Sequence, residues 1–146
     1  MDVGKWQSIL ERYEAASFTV NKRFGAQIRE QIQDVLTNDQ YLTLTHIRRV
    51  ASCTTTELAE IFCVNKSAIT AIVTRLAEKG YIDRIRDQRD RRIVYLTLTE
   101  EGQSVFEWAD KKVFEVVSPY LKVFSEQEIE TFLTLFEKLA AILNDE

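Results

Sequence analysis

The stretch NKSAITAIVTRLAEKGYIDRIRDQRDRRIVYLTLT, Asn65 to Thr99, decides the fold. Asn65 can accept a hydrogen bond from a free N–H of the turn that follows it, so a helix starts there and runs to Lys79. Gly80 then ends it as the glycine just past a helix C-terminus. Within this helix Ile69, Ile72, Val73 and Leu76 recur at steps of three, one and three and form an inward stripe. Ser67, Thr70, Ala71 and Thr74 fall on the opposite face, with Lys66 and Arg75 at its margins. After Gly80, the runs from Tyr81 to Ile85 and from Ile93 to Leu98 alternate and are rich in β-branched and aromatic residues. They read as two antiparallel strands. The loop joining them, Arg84 to Arg92, holds five arginines and two aspartates in nine residues.

Upstream, Thr54-Thr55-Thr56-Glu57 has the spacing of a capping box, which predicts a short helix carrying Leu58, Ala59, Ile61 and Phe62. Cys63-Val64 is a tight turn before the Asn65 helix. Two short helices joined by so few residues outline a helix-turn-helix, and a charged hairpin directly after it makes a winged helix. The outer face of the second helix is small, polar and nearly free of charge. Such a face can enter a major groove, where Ser and Thr hydroxyls reach base edges and Ala or Thr methyls meet thymine methyls. A helix face turned merely to water would more often carry Glu/Lys pairs, which this one lacks. The candidate contacts on this helix are Asn65, Lys66, Ser67, Thr70, Ala71, Thr74 and Arg75. Those of the wing are Arg84, Arg86, Arg89, Asp90, Arg91 and Arg92, where guanidinium groups suit phosphates and the negative potential of a narrow minor groove. Asp87 and Asp90 would repel phosphate, so their expected role is to hold neighbouring arginines through paired hydrogen bonds.

Charge is distributed to match. The chain of 146 residues has a net charge of −4, yet residues 1–65 carry −1, residues 66–92 carry +4 and residues 93–146 carry −7. A basic segment inside an acidic chain suggests one surface made for a polyanion. With 45% hydrophobic residues, one proline and four glycines, this is a single domain's worth of well-packed chain. No apolar run is long enough to span a bilayer and no apolar signal core stands near Met1, so a soluble, cytoplasmic protein without a membrane partner is expected. One histidine and two cysteines are too few for an all-protein zinc site, and no Gly-rich phosphate loop or His/Glu metal motif is present. No metal, no cofactor and no enzymatic activity are expected.

The flanks are helical. Trp6, Ile9, Tyr13, Ala16, Val20, Phe24, Ile28, Ile32 and Val35 keep steps of three and four. A helix of about 28 residues is roughly 42 Å long, more than one small domain hides, and suits an assembly surface; Gly25 is a place for it to bend. Thr37-Asn38-Asp39-Gln40 is another capping box and predicts a helix to Ala51. A fifth helix should run from Thr99 to about Val117 and stop at Ser118-Pro119. Ser125 to Glu128 is a third capping box, opening a last helix striped by Ile129, Phe132, Leu133, Phe136, Leu139, Ala140 and Leu143. The expected class is mainly α with a small β-hairpin wing. Residues 1–36 and 100–146 form the helical dimerisation region, and residues 37–99 form the winged helix-turn-helix lobe of one integrated domain.

Thr56-Glu57-Leu58-Ala59, Asn65 to Thr70, Leu76 to Ile82, Asp87 to Arg92 and Leu96 to Thr99 together resemble the multiple-antibiotic-resistance regulator (MarR) family, over essentially the whole chain. The most specific element is the Asp-x-Arg of the wing, Asp90 and Arg92, at its distance from Glu78-Lys79-Gly80. The resemblance implies a homodimeric transcription regulator, most often a repressor, whose first and last two helices interlock with a partner copy. It implies a pseudo-palindromic double-stranded DNA operator with half-sites roughly 34 Å apart. It also implies that Arg92 enters the minor groove while Asp90 orients a nearby arginine. Members commonly respond to small aromatic or phenolic effectors, to thiol oxidation or to metal. Trp6, Tyr13, Phe18, Tyr41, Phe106 and Trp108 are the candidate lining of an effector pocket, and plain core residues under the simpler reading. The family's peroxide sensors carry a cysteine near the N-terminus, where this chain has none; Cys53 and Cys63 are the remaining candidates for redox sensing. His46 stands alone and is read as a surface or core residue. Two alternatives to the DNA regulator remain at this stage: a winged helix used for protein contact, and a thiol-switched regulator.

Overall fold

The structure, a computed structural model, describes all 146 residues. Helix α1 spans Val3–Ile32, α2 Asn38–Val50, α3 Thr55–Ile61 and α4 Lys66–Glu78. Strands β1 (Cys53–Thr54), β2 (Ile82–Arg86) and β3 (Val94–Leu98) follow the order β1-β3-β2 in one antiparallel sheet. Helices α5 (Glu100–Leu121) and α6 (Glu126–Asn144) complete the chain. No helix is long and apolar enough to cross a membrane. The chain divides into two compact units, Met1–Val113 and Phe114–Glu146.

In the first unit, Ile32 at the end of α1, Leu36 in the turn after it, Leu44 and Ile47 of α2, Leu58 of α3, Ile69, Val73 and Leu76 of α4, and Leu96 of β3 are essentially sealed from water. Each comes from a three- or four-residue periodicity or, for Leu96, from the inward side of a strand. The stripe of α1 is buried only at its C-terminal end; Trp6, Tyr13 and Phe18 are each more than half exposed. The helix runs unbroken through Gly25.

The capping boxes form as spaced: Thr37 with Gln40, Thr54 with Glu57 and Ser125 with Glu128 each exchange both hydrogen bonds. Two helix ends close in the same way. Past α4, the Gly80 N–H donates to Ala77 and the Tyr81 N–H to Leu76, with Gly80 at φ +80°. Past α3, the Cys63 N–H donates to Glu60 and the Val64 N–H to Ala59, with Cys63 at φ +53°. Both are left-handed terminations of the type glycine serves best, so Cys63 stands in glycine's seat.

Two expectations change. Strand β1 is an addition to the expected hairpin: Cys53 pairs with Leu96 and Thr54 with Tyr95, making the sheet three-stranded. Two residues are too few to show an alternation. Helix α5 does not stop at Ser118-Pro119 but passes through Pro119 to Leu121. Proline lacks one N–H and fixes φ near its helical value, so in the last turn it forfeits a single helical bond. The end closes instead through the Lys122 N–H to Ser118 and the Phe124 N–H to Leu121.

The start of α5 is stapled to the turn after α4. The Thr99 hydroxyl donates to the Gly80 carbonyl at 2.6 Å and accepts from the Gly102 N–H at 2.9 Å. The Thr99 N–H donates to the Tyr81 carbonyl. A Cβ at Gly102 would stand 1.8 Å from the Tyr81 oxygen, so only glycine admits this approach.

In the second unit α6 buries none of its residues, and the Phe132 and Phe136 rings stack 5.4 Å apart on its exposed apolar face.

Candidate nucleic-acid interface

Helix α4 turns Ile69, Val73 and Leu76 into the core and leaves Lys66, Ser67, Thr70, Ala71 and Arg75 exposed, with Thr74 half-buried. Its first turn is locally ordered. The Asn65 carboxamide oxygen accepts from the Ala68 N–H at 3.0 Å and from the Ser67 hydroxyl at 2.8 Å. The Thr70 hydroxyl donates to the Lys66 carbonyl at 2.8 Å. Both hydroxyl protons are thus engaged within the helix, leaving oxygen lone pairs outward as acceptors.

The wing is built by its two aspartates. One Asp87 carboxylate oxygen accepts the N–H groups of Arg89 and Asp90, at 2.8 and 2.9 Å. These bonds, with a further one from Tyr95, hold its pKa below the ordinary carboxylate value. The turn is closed by the Asp87 N–H to Ile93 and the Ile93 N–H to Asp90. Asp90 grips Arg92 with both oxygens: Nε at 3.0 Å and Nη2 at 3.1 Å, plus the Arg92 backbone N–H at 3.1 Å. The pairing lowers the Asp90 pKa and raises that of Arg92. Arg92 nonetheless projects outward, its side chain 91% exposed. An exposed ion pair adds little stability, so its consequence is orientation. The arginine oriented by Asp90 is therefore Arg92 itself. Asp87 shapes the loop backbone. Arg86 donates to the Arg91 carbonyl at 2.9 Å, while Arg84, Arg89 and Arg91 are exposed.

Between the start of α3, the inner edge of α4 and the wing lies a cleft of about 860 Å³. Lys66, Arg84, Arg86 and Arg92 all line it, together with Thr70 and the single carboxylate of Glu57. Four cations around a concave surface concentrate positive potential there.

The six aromatic candidates for an effector pocket separate into three groups. Tyr41 and Phe106 stack nearly parallel at 6.3 Å in the core, the Tyr41 hydroxyl donates to Asp110 at 3.3 Å, and Arg48 lies over the Phe106 ring at 5.1 Å. Burial first, and the Asp110 charge second, push the Tyr41 pKa up. Trp108 is partly exposed at a shallow hollow beside Val35 and Val105. Trp6, Tyr13 and Phe18 lie on the exposed part of α1. Tyr41 and Phe106 are thus part of the core, whereas the three α1 aromatics are exposed.

Both cysteines are free thiols. Cys53 is buried on β1, where burial and then the Glu57 charge push its pKa up to about 11, which favours the protonated thiol. Cys63 is exposed in the turn before α4. His46 is half-buried on α2.

A helix-turn-helix with a three-stranded wing and a cationic cleft between them defines a winged helix-turn-helix protein of the nucleic-acid-binding kind. Residues 36–94 match the MarR family. The chain is 31% identical over 125 residues to an uncharacterized HTH-type transcriptional regulator, YpoP, of Bacillus subtilis (strain 168), covering 83% of this chain and 89% of that protein. It is also 31% identical over 105 residues to the HTH-type transcriptional repressor MdtR of the same organism, covering 72% and 68% of the two. Among solved structures, a cysteine-to-serine mutant of MarR from E. coli in complex with operator DNA superposes with a TM-score of 0.75 at 26% identity, covering 95% of this chain and 99% of that one. The chain belongs to the MarR family of winged-helix transcription regulators.

Proposed function

We propose that this protein is a homodimeric, cytoplasmic repressor that reads a pseudo-palindromic double-stranded operator, with α4 in the major groove and the 84–92 wing in the minor groove. The observation that carries this is the pairing of a small, polar α4 face with Arg92 held outward by Asp90 across one cationic cleft. Ser67 and Thr70 present acceptors suited to base amino groups, and the wing arginines supply phosphate and minor-groove contacts. A winged helix made for protein contact has no need of that arginine tip. The homodimer is supported by the apolar residues left exposed along α1 and α6, and by the habit of the family to bind DNA as dimers. The repressor sense follows MdtR. A small aromatic or phenolic effector remains part of the reading, with its pocket completed at the dimer.

The test is fluorescence anisotropy on the duplex upstream of the protein's own gene, against a scrambled duplex, at two salt concentrations. The native duplex should be preferred and binding should weaken steeply with salt. Arg92→Ala should weaken binding about 30-fold and leave the dimer and thermal stability unchanged. Wild-type affinity in that variant would remove the wing from the interface.

A further inference from the structure

Lys79 stands at the C-cap of α4, beyond the face turned to DNA. Its ammonium reaches back across the first unit and donates to the Val35 carbonyl at 2.8 Å and to the Gln40 carboxamide oxygen at 3.1 Å. Val35 lies in the turn that closes α1; Gln40 belongs to the capping box that opens α2. Gln40 is 4% exposed, and its oxygen is already held by the Thr37 N–H at 3.1 Å, so the anchor is rigid. One charge thus ties the end of α4 to the junction of α1 and α2. The negative ends of α1 and α4 favour a cation there and the positive start of α2 opposes it, so the two hydrogen bonds rather than the helix dipoles hold the ammonium.

We propose that Lys79 is a positioning residue for DNA binding: it sets the angle of α4 against α1, and so the separation of the two α4 helices in the dimer. The proposal rests on the homodimeric DNA-binding reading above. Its leverage is geometric. Helix α4 has 13 residues and is about 20 Å long, so a swing of about 10° about its C-terminal end moves its first turn by about 3.5 Å, one base-pair step. An operator with fixed half-site spacing penalises that displacement in both subunits at once.

Two readouts separate positioning from simple support. Spin labels are attached through Ala71→Cys in a Cys63→Ser background, with buried Cys53 left in place, and the label-to-label distance is measured in the DNA-free dimer by pulsed electron resonance. The parent should give one narrow distance. Lys79→Met and Lys79→Gln should broaden it by several ångströms, and Lys79→Arg should restore it. In unlabelled protein, Lys79→Met should weaken binding to the upstream duplex about tenfold with an unchanged salt slope, because no phosphate contact is lost. A narrow, unshifted distance in Lys79→Met overturns the proposal, even if the melting temperature falls. A reduced salt slope also overturns it, by making Lys79 a phosphate contact. A parent without any label-to-label coupling overturns the homodimer reading, and this proposal with it, a failure recognisable because it precedes any change at Lys79.

Discussion

Helices α4 and α6 start alike. Each is capped by a side chain, Asn65 or Ser125, that accepts from the third N–H of the helix, and each carries an apolar residue every three or four positions. In α4 that stripe is spent on the chain's own core, with Ile69 and Leu76 wholly buried. In α6 the same pattern faces outward: Phe132 is 61% exposed, Leu135 62% and Phe136 53%. The outer half of α1 behaves like α6. An amphipathic stripe therefore commits a helix to some partner without saying which one. For α4 the partner is the rest of its lobe, and the opposite face is left exposed, the face that our reading gives to DNA. For α6 and for α1 the partner in our reading is a second copy, since each helix by itself leaves many large apolar side chains exposed.

The contrast can be broken most directly at α6. Phe136→Asp should raise the dimer dissociation constant about 100-fold in sedimentation equilibrium, with helical content unchanged. An intact dimer at the same concentrations would show that α6 covers nothing in the assembly. Next in size is Gly102→Ala, which forces a methyl into the Tyr81 carbonyl; it should lower unfolding stability by about 2 kcal/mol in denaturant titrations. A neutral result would mean that the staple between α5 and the Gly80 turn gives way easily. The caps sharpen the comparison further. Asn65→Ala should cost about 1 kcal/mol of global stability, because α4 is part of the core. Ser125→Ala should instead register as faster hydrogen exchange confined to the first turn of α6 in the monomeric Phe136→Asp background. The smallest effect concerns the thiols. Maleimide should label Cys63 in the native protein at neutral pH and Cys53 only after unfolding. Folding keeps the Cys53 thiol protonated, so its contribution to stability holds below about pH 9, the ordinary thiol value, and is lost as pH rises toward 11. Native labelling of Cys53 would show that β1 opens readily.

What was legible in the sequence was local. Thr37 with Gln40, Thr54 with Glu57, and Ser125 with Glu128 each lie three residues apart, so residue type and spacing suffice to read the hydrogen bonds. Gly80 ended α4 for the same reason. The charge of the wing and the small face of α4 were equally visible, and Asp90 was expected to hold an arginine, two residues away as it proved. Other features left weaker signals. Pro119 argued for a helix end, but in a last turn its penalty is one bond. The tight turn at Cys63-Val64 was legible, but not the left-handed backbone of Cys63, which the hydrogen bonds closing α3 impose.

Sequence by itself determined the order of elements, the basic segment inside an acidic chain and the small polar face that α4 leaves exposed, because all of these follow from neighbours within four positions. Tertiary structure alone decided that Cys53–Thr54 joins the wing as a strand, that Gly102 admits the Tyr81 carbonyl, that Lys79 reaches Val35 across 44 residues, and that Tyr41 and Phe106 fill each other's space. Those contacts join residues whose separation along the chain carries no periodicity, and only packing the core brings them within range.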